Sequence, residues 1–162
     1  MRGTREREMR LTTRTNLAVR VIMFCAVNGD RRVTSAEIAG ACNCSVHHVA
    51  HVVQQLQAHG IVETMRGRAG GMQLAHPVER ISIGEIVRLF ESDIPAAECF
   101  DPATNRCPLV EACRLRTYLV RALEAFYHEL DMVTLEDLVR GNCGLITLLS
   151  MRPELPGTCA VR

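Results

Sequence analysis

Three cysteines near one another in the chain are the residues with the clearest potential for chemistry. Cys99, Cys107 and Cys113 are separated by seven and five residues, in a segment that three prolines interrupt. Thiolates are soft ligands that suit iron–sulfur clusters and zinc, and a loop lets three of them converge on one centre. A structural zinc site normally closes with four protein ligands, and no fourth is obvious here. The spacing favours an iron–sulfur cluster, with zinc and three inert thiols as the alternatives.

The other five cysteines give weaker indications. Cys25 falls on the apolar face of a predicted helix and is expected in the core. Cys42 and Cys44 flank a predicted helix turn, where core packing is favoured over a second metal site. Cys143 and Cys159 receive no role. The N-terminal residues are charged with no apolar stretch behind them, and no run approaches the roughly 20 apolar residues of a membrane span. The sequence therefore predicts a cytoplasmic protein without a membrane partner, in which cysteines serve metal or redox chemistry.

Two short helices joined by a tight turn are predicted upstream of the cysteines. Thr34 and Glu37 form a capping-box pattern ahead of the first helix. Ser45 caps the second, which runs to about His59 before Gly60. In a helix-turn-helix motif the second helix enters the major groove, with its N-terminal residues at the base edges. Those residues are Ser45, Val46, His47, His48 and His51. A metal site on the three histidines is the less favoured alternative.

A basic, glycine-rich hairpin follows this helix pair. Two short predicted strands, 61–65 and 72–75, flank the segment Arg-Gly-Arg-Ala-Gly-Gly at 66–71. It lacks the Lys-Ser/Thr pair of a P-loop and precedes a strand, which argues against a nucleotide site. A wing that contacts phosphates or the minor groove fits better, because glycines let backbone approach closely. The candidate wing contacts are Arg66, Gly67, Arg68, Gly70 and Gly71.

The charge distribution supports contact with a polyanion. Residues 1–75 carry ten Arg against five acidic residues, whereas residues 76–162 carry nine Arg against thirteen. The basic half contains the helix pair and the hairpin, so double-stranded DNA is the predicted partner. The chain shows no nucleotide-binding motif, and half of its length is assigned to the predicted DNA-binding region. It is therefore predicted not to be an enzyme. A cluster-carrying electron-transfer or redox protein is the least favoured alternative.

A long amphipathic helix follows the cysteine segment. Apolar residues recur at steps of three and four from Leu115 to Val133, which leaves one apolar stripe along the helix. A second copy of the chain is the simplest cover for that stripe, so a homodimer is predicted. The predicted fold class is mainly α with a small β wing. The predicted organisation is a polar tail (1–8), a winged helix-turn-helix domain (9–90), a cysteine loop (91–113), a dimerisation helix with a short terminal helix (114–142) and a flexible tail (143–162).

Several motifs together resemble the Rrf2 family of iron–sulfur regulators, above all its nitric-oxide-sensing repressors. They are MRLT at 9–12, RGRAGGMQL at 66–74, the three-cysteine loop and LDMVTLEDL at 130–138. The resemblance implies a homodimer on a palindromic operator, with one [2Fe–2S] or [4Fe–4S] cluster per subunit on Cys99, Cys107 and Cys113. Nitrosylation or loss of the cluster would release DNA and derepress genes for nitric oxide detoxification. A response to iron, cluster supply or redox stress is the alternative within the family.

The chain departs from the family pattern at two positions. Some members carry a histidine three residues after the third cysteine, where this chain has Arg116. Some nitric-oxide sensors take a fourth ligand from an aspartate on the first helix of the partner subunit, and Asn16 stands at that position. A neutral amide is a weaker ligand than a carboxylate. Asn16 is therefore only a candidate fourth-ligand position, with Glu98, Asp101 or a small molecule as alternatives.

Overall fold

Seven α-helices and one two-stranded sheet form the part of the chain described here. The computed structural model describes residues 11–67, 70–92 and 95–151. Its elements are α1 (Thr13–Val27), α2 (Ser35–Ala41), α3 (Val46–Ala58), β1 (Val62–Met65), β2 (Gly71–Leu74), α4 (Ile83–Glu91), α5 (Arg114–Asp131), α6 (Leu135–Val139) and α7 (Cys143–Leu149). Single 3₁₀ turns lie at Val78–Arg80 and Glu98–Phe100. The predicted class, mainly α with a small β wing, is confirmed.

Short polar side chains fix where most of the helices begin. The capping residues, each accepting a bond from the backbone N–H three residues on, are Thr12, Thr34, Ser45, Ser82, Thr134 and Asn142. Such a cap satisfies a backbone donor that has no partner within the helix, and is worth about 1 kcal/mol. At α2 the capping box is complete, and the bond from the Thr34 backbone N–H lowers the pKa of the Glu37 carboxyl.

Helix α1 runs through the middle of the core. It packs against α3, α4 and α6 and touches α7 and β2, and its Val21, Ile22 and Phe24 are fully buried. Burial on several sides explains why α1 is hydrophobic over much of its circumference rather than along one stripe. Cys25 also lies in this core, as the sequence predicts.

The hairpin is joined to the start of α2. Val62 pairs with Leu74 and Met65 with Gly71 in antiparallel register. Val33 adds an isolated bridge to Met72, with N–O distances of 2.9 and 2.7 Å. A Cβ on Gly71 would lie 2.8 Å from the carbonyl oxygen of Val33. Only glycine permits this approach, so the base of the hairpin is held against the segment before α2. Helices α1–α4 and this hairpin together are called the reading domain.

A junction between α4 and the C-terminal end of α5 joins the reading domain to the long helix. Arg88 forms an ion pair with Asp131, and its guanidinium carbon lies 4.8 Å from the centre of the Tyr127 ring. The hydrogen bond from Arg88 lowers the pKa of Asp131. The backbone N–H of Ile83 donates to the carbonyl of Val133 over 2.9 Å. These bonds hold the end of α5 firmly against the start of α4.

The chain after residue 142 differs from the prediction of a flexible tail from 143 to 162. Residues 143–149 form α7, whose Leu149 is buried. The buried amide of Asn28 donates to the carbonyl of Leu149 over 3.0 Å and accepts from the N–H of Met151 over 3.0 Å. An apolar helix with a buried polar anchor on α1 is a packed element, so this part of the prediction is wrong. The remainder, 152–162, and the predicted tail 1–8 lie outside the described residues.

Candidate DNA-reading surface and cysteine segment

Helix α3 presents one apolar and one polar face. Val49, Val52 and Leu56 are buried against the domain. The residues predicted to read DNA are all exposed, namely Ser45, Val46, His47, His48 and His51. The rings of His47 and His51 meet edge to face, with their centroids 4.7 Å apart. The predicted reading residues are therefore all accessible at the N-terminal end of α3, and His47 and His51 lie side by side there.

A turn at Asn43 sets the angle between α2 and α3. Asn43 has a φ of 49°, in the left-handed region that asparagine tolerates better than most residues. Cys42 before it is buried, and Arg20 donates to its carbonyl over 3.5 Å. Burial raises the pKa of the Cys42 thiol, and the neighbouring Cys44 raises it further. Asparagine between two predicted helices is a recognisable signal for such a turn.

The wing carries an exposed arginine at the end of β1. Arg66 is exposed, and Gly67 follows it with a φ of 105°. A Cβ on Gly70 would lie 2.5 Å from the carbonyl oxygen of Met65. Glycine is thus required for the tight return of the hairpin. Arg68, the second predicted wing arginine, lies outside the described residues.

The cysteine segment folds back on itself and onto the start of α5. The Glu98 carboxylate accepts from the backbone N–H of Arg106 over 2.7 Å. Arg116 donates to the carbonyl of Cys99 over 3.3 Å. The first bond places the backbone around Cys99 beside the backbone around Cys107. The second places it beside the first turn of α5, which begins directly after Cys113. The backbone around the three cysteines is therefore drawn into one region.

The donor chemistry of this segment fits an iron–sulfur cluster. Cys99, Cys107 and Cys113 are half-exposed free thiols, and thiolates are the usual protein ligands of such clusters. Within the described ranges, however, no three His, Cys, Asp or Glu side chains are arranged as a ligand set. The structure thus differs from the expected convergence of the three sulfur atoms, because the bonds named above join backbone groups to the Glu98 and Arg116 side chains and do not involve the thiols. The ligand role of these cysteines stays a proposal.

Asn16 lies in the first full turn of α1, with its side chain exposed. Its amide nitrogen donates to the carbonyls of Leu11 and Thr12, over 3.4 and 3.2 Å. These bonds leave the amide oxygen as the atom that would face a metal. Its role as fourth ligand stays a prediction.

Glu91 is a residue that sequence reasoning missed. Its carboxylate accepts from the backbone N–H of Thr12 over 2.7 Å and from the hydroxyl of Thr15. The same side chain lines a cavity of about 590 Å³ with Phe100 of the cysteine segment and Tyr127 of α5. Glu91 therefore connects the start of α1 to the region beneath the cysteine loop. Nothing in the linear sequence pairs position 91 with position 12.

Thiol burial predicts a sharp order of chemical reactivity. Cys25 is 2% exposed, and burial raises its pKa to about 12, so little of it is thiolate at neutral pH. Timed iodoacetamide labelling of reduced, metal-free protein should modify the half-exposed Cys99, Cys107 and Cys113 well before Cys25. Peptide mass spectrometry measures the order, with urea-unfolded protein as the control. Equal rates in the folded protein would contradict the burial of Cys25.

Helices α2 and α3 form a helix-turn-helix, and the β1–β2 hairpin that follows them forms a wing. Together with the cysteine segment and the exposed α5, these elements are typical of a winged helix-turn-helix transcription regulator. The family model described as "Iron-dependent Transcriptional regulator", Rrf2, matches residues 11–141. The chain belongs to the Rrf2 family of transcriptional regulators. Within the described residues, no helix is long and apolar enough to cross a membrane.

Individual relatives agree with this assignment. The chain is 40% identical to protein aau3 of Rhizobium meliloti (strain 1021), over 94% of this chain and 99% of that protein. It is 41% identical to the HTH-type transcriptional repressor NsrR of Streptomyces coelicolor, over 90% of this chain and 99% of that protein. The oxidised form of CymR from Staphylococcus aureus superposes with a TM-score of 0.64 at 27% identity, covering 82% and 97% of the two chains. The chain is therefore a DNA-binding regulator rather than an enzyme.

Proposed function

We propose that the protein is a cytoplasmic transcriptional repressor whose operator binding is controlled by an iron–sulfur cluster on Cys99, Cys107 and Cys113, and which responds to nitric oxide. The observation that carries the proposal is a set of three half-exposed free thiols in one segment. That segment lies between α4, the last helix of the reading domain, and α5, the long helix. The similarity to NsrR supports nitric oxide as the signal.

Different residues of the reading domain would contact different parts of the operator. Ser45, Val46 and the histidines at the start of α3 would contact base edges and nearby phosphates. Arg66 on the wing would contact phosphate or the adjacent minor groove. The bound cluster would supply a centre that nitric oxide attacks. Glu91, bonded to the start of α1 and adjoining the cysteine segment, would transmit a change in that segment to the reading domain.

The proposal is tested on protein purified without oxygen. We expect a coloured protein that contains iron and sulfide and binds a duplex operator selected from a random pool. Stoichiometric nitric oxide should bleach the cluster and abolish binding, with both followed in one titration by absorption and fluorescence anisotropy. Colourless, iron-free protein that binds the operator unchanged would refute cluster control. An iron chelator is the matched treatment, because release by chelator alone would indicate the alternative signal of iron or cluster supply.

A homodimer is part of the proposal. None of the 18 residues of α5 is buried, and its Leu115 and Tyr118 are 62% and 64% exposed. An amphipathic helix this exposed gains stability by pairing its apolar stripe with a second copy. Leu115→Glu should shift the protein from dimer to monomer in analytical ultracentrifugation, whereas Arg121→Glu, an exposed charged position on the same helix, should not. A Leu115→Glu protein that stays dimeric would remove this face of α5 from the interface.

Arg66→Ala tests the role of the wing. Neutralising a phosphate contact should weaken binding on all DNA sequences and reduce the salt slope of log K by about one unit per contact. Fluorescence anisotropy between low and moderate salt, on operator and random duplexes, measures the slope. Arg140→Ala is the control, because Arg140 is exposed and lies at the C-cap of α6, a helix that packs on α1 and belongs neither to α3 nor to the wing. An unchanged slope for Arg66→Ala would exclude the wing from the interface.

A further inference from the structure

Helix α3 has an unusual charge make-up for a helix proposed to lie against DNA. Between Val46 and Ala58 it contains no Lys, Arg, Asp or Glu. Its ionisable side chains are His47, His48 and His51, and all three are exposed. Histidine is the side chain that ordinarily changes charge between pH 5 and pH 8. Every positive charge that α3 itself can offer to DNA therefore depends on the proton concentration.

Neighbouring elements do not supply these histidines with a counter-charge. The charged residues of the elements packed on α3 are Arg14 and Arg20 in α1, Glu37 in α2 and Glu63 in β1. Arg14 lines a groove of about 840 Å³ together with His48 and His51, which adds positive charge there.

Both neighbouring carboxylates have other partners. Glu37 pairs with Arg31 over 2.9 Å, and Glu63 accepts from the Gln73 amide over 3.5 Å. Among the described contacts, no hydrogen bond or ion pair joins either carboxylate to an imidazole of α3. DNA phosphate beside these imidazoles would supply an anion that favours their charged forms.

We propose that operator binding takes up protons on His47, His48 and His51, so that the protein holds DNA more tightly as pH falls from about 8 to about 6. The inference rests on the proposed function, since it needs α3 to face DNA. Phosphate beside an imidazole favours its charged form, so the complex carries more protons than the free protein. By linkage, the state that carries more protons gains population as pH falls. The repressor then responds to acidity as well as to its cluster.

The size of the effect follows from the number of coupled protons. One proton taken up per complex changes the binding constant by up to about tenfold per pH unit. A dimer presents two α3 helices, so several imidazoles contribute. We expect operator affinity to rise at least about tenfold between pH 8 and pH 6.

The experiment measures affinity and proton uptake together. Cluster-loaded protein is titrated with its selected operator duplex at constant ionic strength, without oxygen, at several pH values. Calorimetry in two buffers with different ionisation heats counts the protons taken up. The triple variant His47→Gln, His48→Gln, His51→Gln should bind with a nearly flat pH profile. His59→Gln is the positional control: His59 lines the same groove but lies at the C-cap of α3, where its ring contacts the Gln55 carbonyl at 2.9 Å, and this variant should keep most of the wild-type pH dependence.

A fixed charge provides a second variant that keeps binding measurable. His51→Arg should bind more tightly than wild type at pH 8 and show a shallower pH dependence, because its charge no longer needs a proton. A wild-type affinity independent of pH overturns the inference. So does an undiminished pH slope in the triple variant, which would place the titration elsewhere, for example on the cluster. A protein that binds no duplex at any pH would instead refute the proposed function.

Discussion

Replacing Cys107 with serine is expected to abolish the cluster and cluster-dependent operator binding, while leaving the fold nearly unchanged. Cys107 is half-exposed and belongs to no helix or strand, so its sulfur adds little to packing. A hydroxyl is a poor substitute for thiolate at an iron–sulfur centre. The variant should contain no iron or sulfide, and its free energy of unfolding should match that of cluster-free wild type within about 0.5 kcal/mol. Iron analysis, visible absorption and urea unfolding measure these quantities.

Cys25→Ser is the matched control for that experiment, and it should show the opposite pattern. Cys25 is 2% exposed in the core of α1, where a hydroxyl without a partner costs about 1–3 kcal/mol. This variant should lose stability yet still assemble the cluster and bind the operator. A Cys107→Ser protein with full iron content would remove Cys107 from the ligand set. A Cys25→Ser protein that folds but lacks iron would implicate the core thiol instead.

Local signals in the sequence were sufficient to predict most of the helices and the hairpin of the reading domain. Thr34 and Ser45 each combine a cap with a following apolar stripe, and helices α2 and α3 begin directly after them. The hairpin was predictable for the same reason, because the glycines of 66–71 between two short apolar runs specify a tight return. Caps, periodicity and turn residues act over a few positions, so they can be recognised without knowledge of tertiary contacts.

Long-range contacts explain what sequence reasoning missed. The short sequence of helix α7 predicts a flexible tail. The helix is held in place by a contact that its own sequence does not show, because Asn28, more than 120 residues away, donates to the carbonyl of Leu149. Glu91 gains its role from Thr12 and Thr15, which lie 79 and 76 residues earlier. The cysteines are a third case: their spacing permits convergence, but neighbouring hydrogen bonds set the loop and do not gather the thiols into a ligand set. The residue types identify possible donors, whereas the positions of the three sulfur atoms depend on contacts that the spacing does not reveal.

Gly84 is the position where the smallest change is expected to do the most structural damage. A Cβ there would lie 2.7 Å from the backbone nitrogen and 2.9 Å from the Cα of Asp131. Backbone atoms at the end of α5 cannot turn away as a flexible side chain does. Gly84→Ala therefore forces α4 and α5 apart and disturbs the ion pair between Arg88 and Asp131. Overpacking of this kind costs about 1–3 kcal/mol and occasionally more, and we expect the upper end of that range.

A second glycine-to-alanine change separates this clash from the general effect of alanine in a helix. Gly40 lies in α2 with open space around its Cα, so Gly40→Ala should stabilise the protein by about 0.5–1 kcal/mol. Urea unfolding of both variants should thus give shifts of opposite sign. Stabilisation by Gly84→Ala would mean that α4 and α5 are not in close contact. That contact joins the reading domain to the long helix, so a Gly84→Ala protein that retains its cluster should also lose the effect of nitric oxide on operator binding.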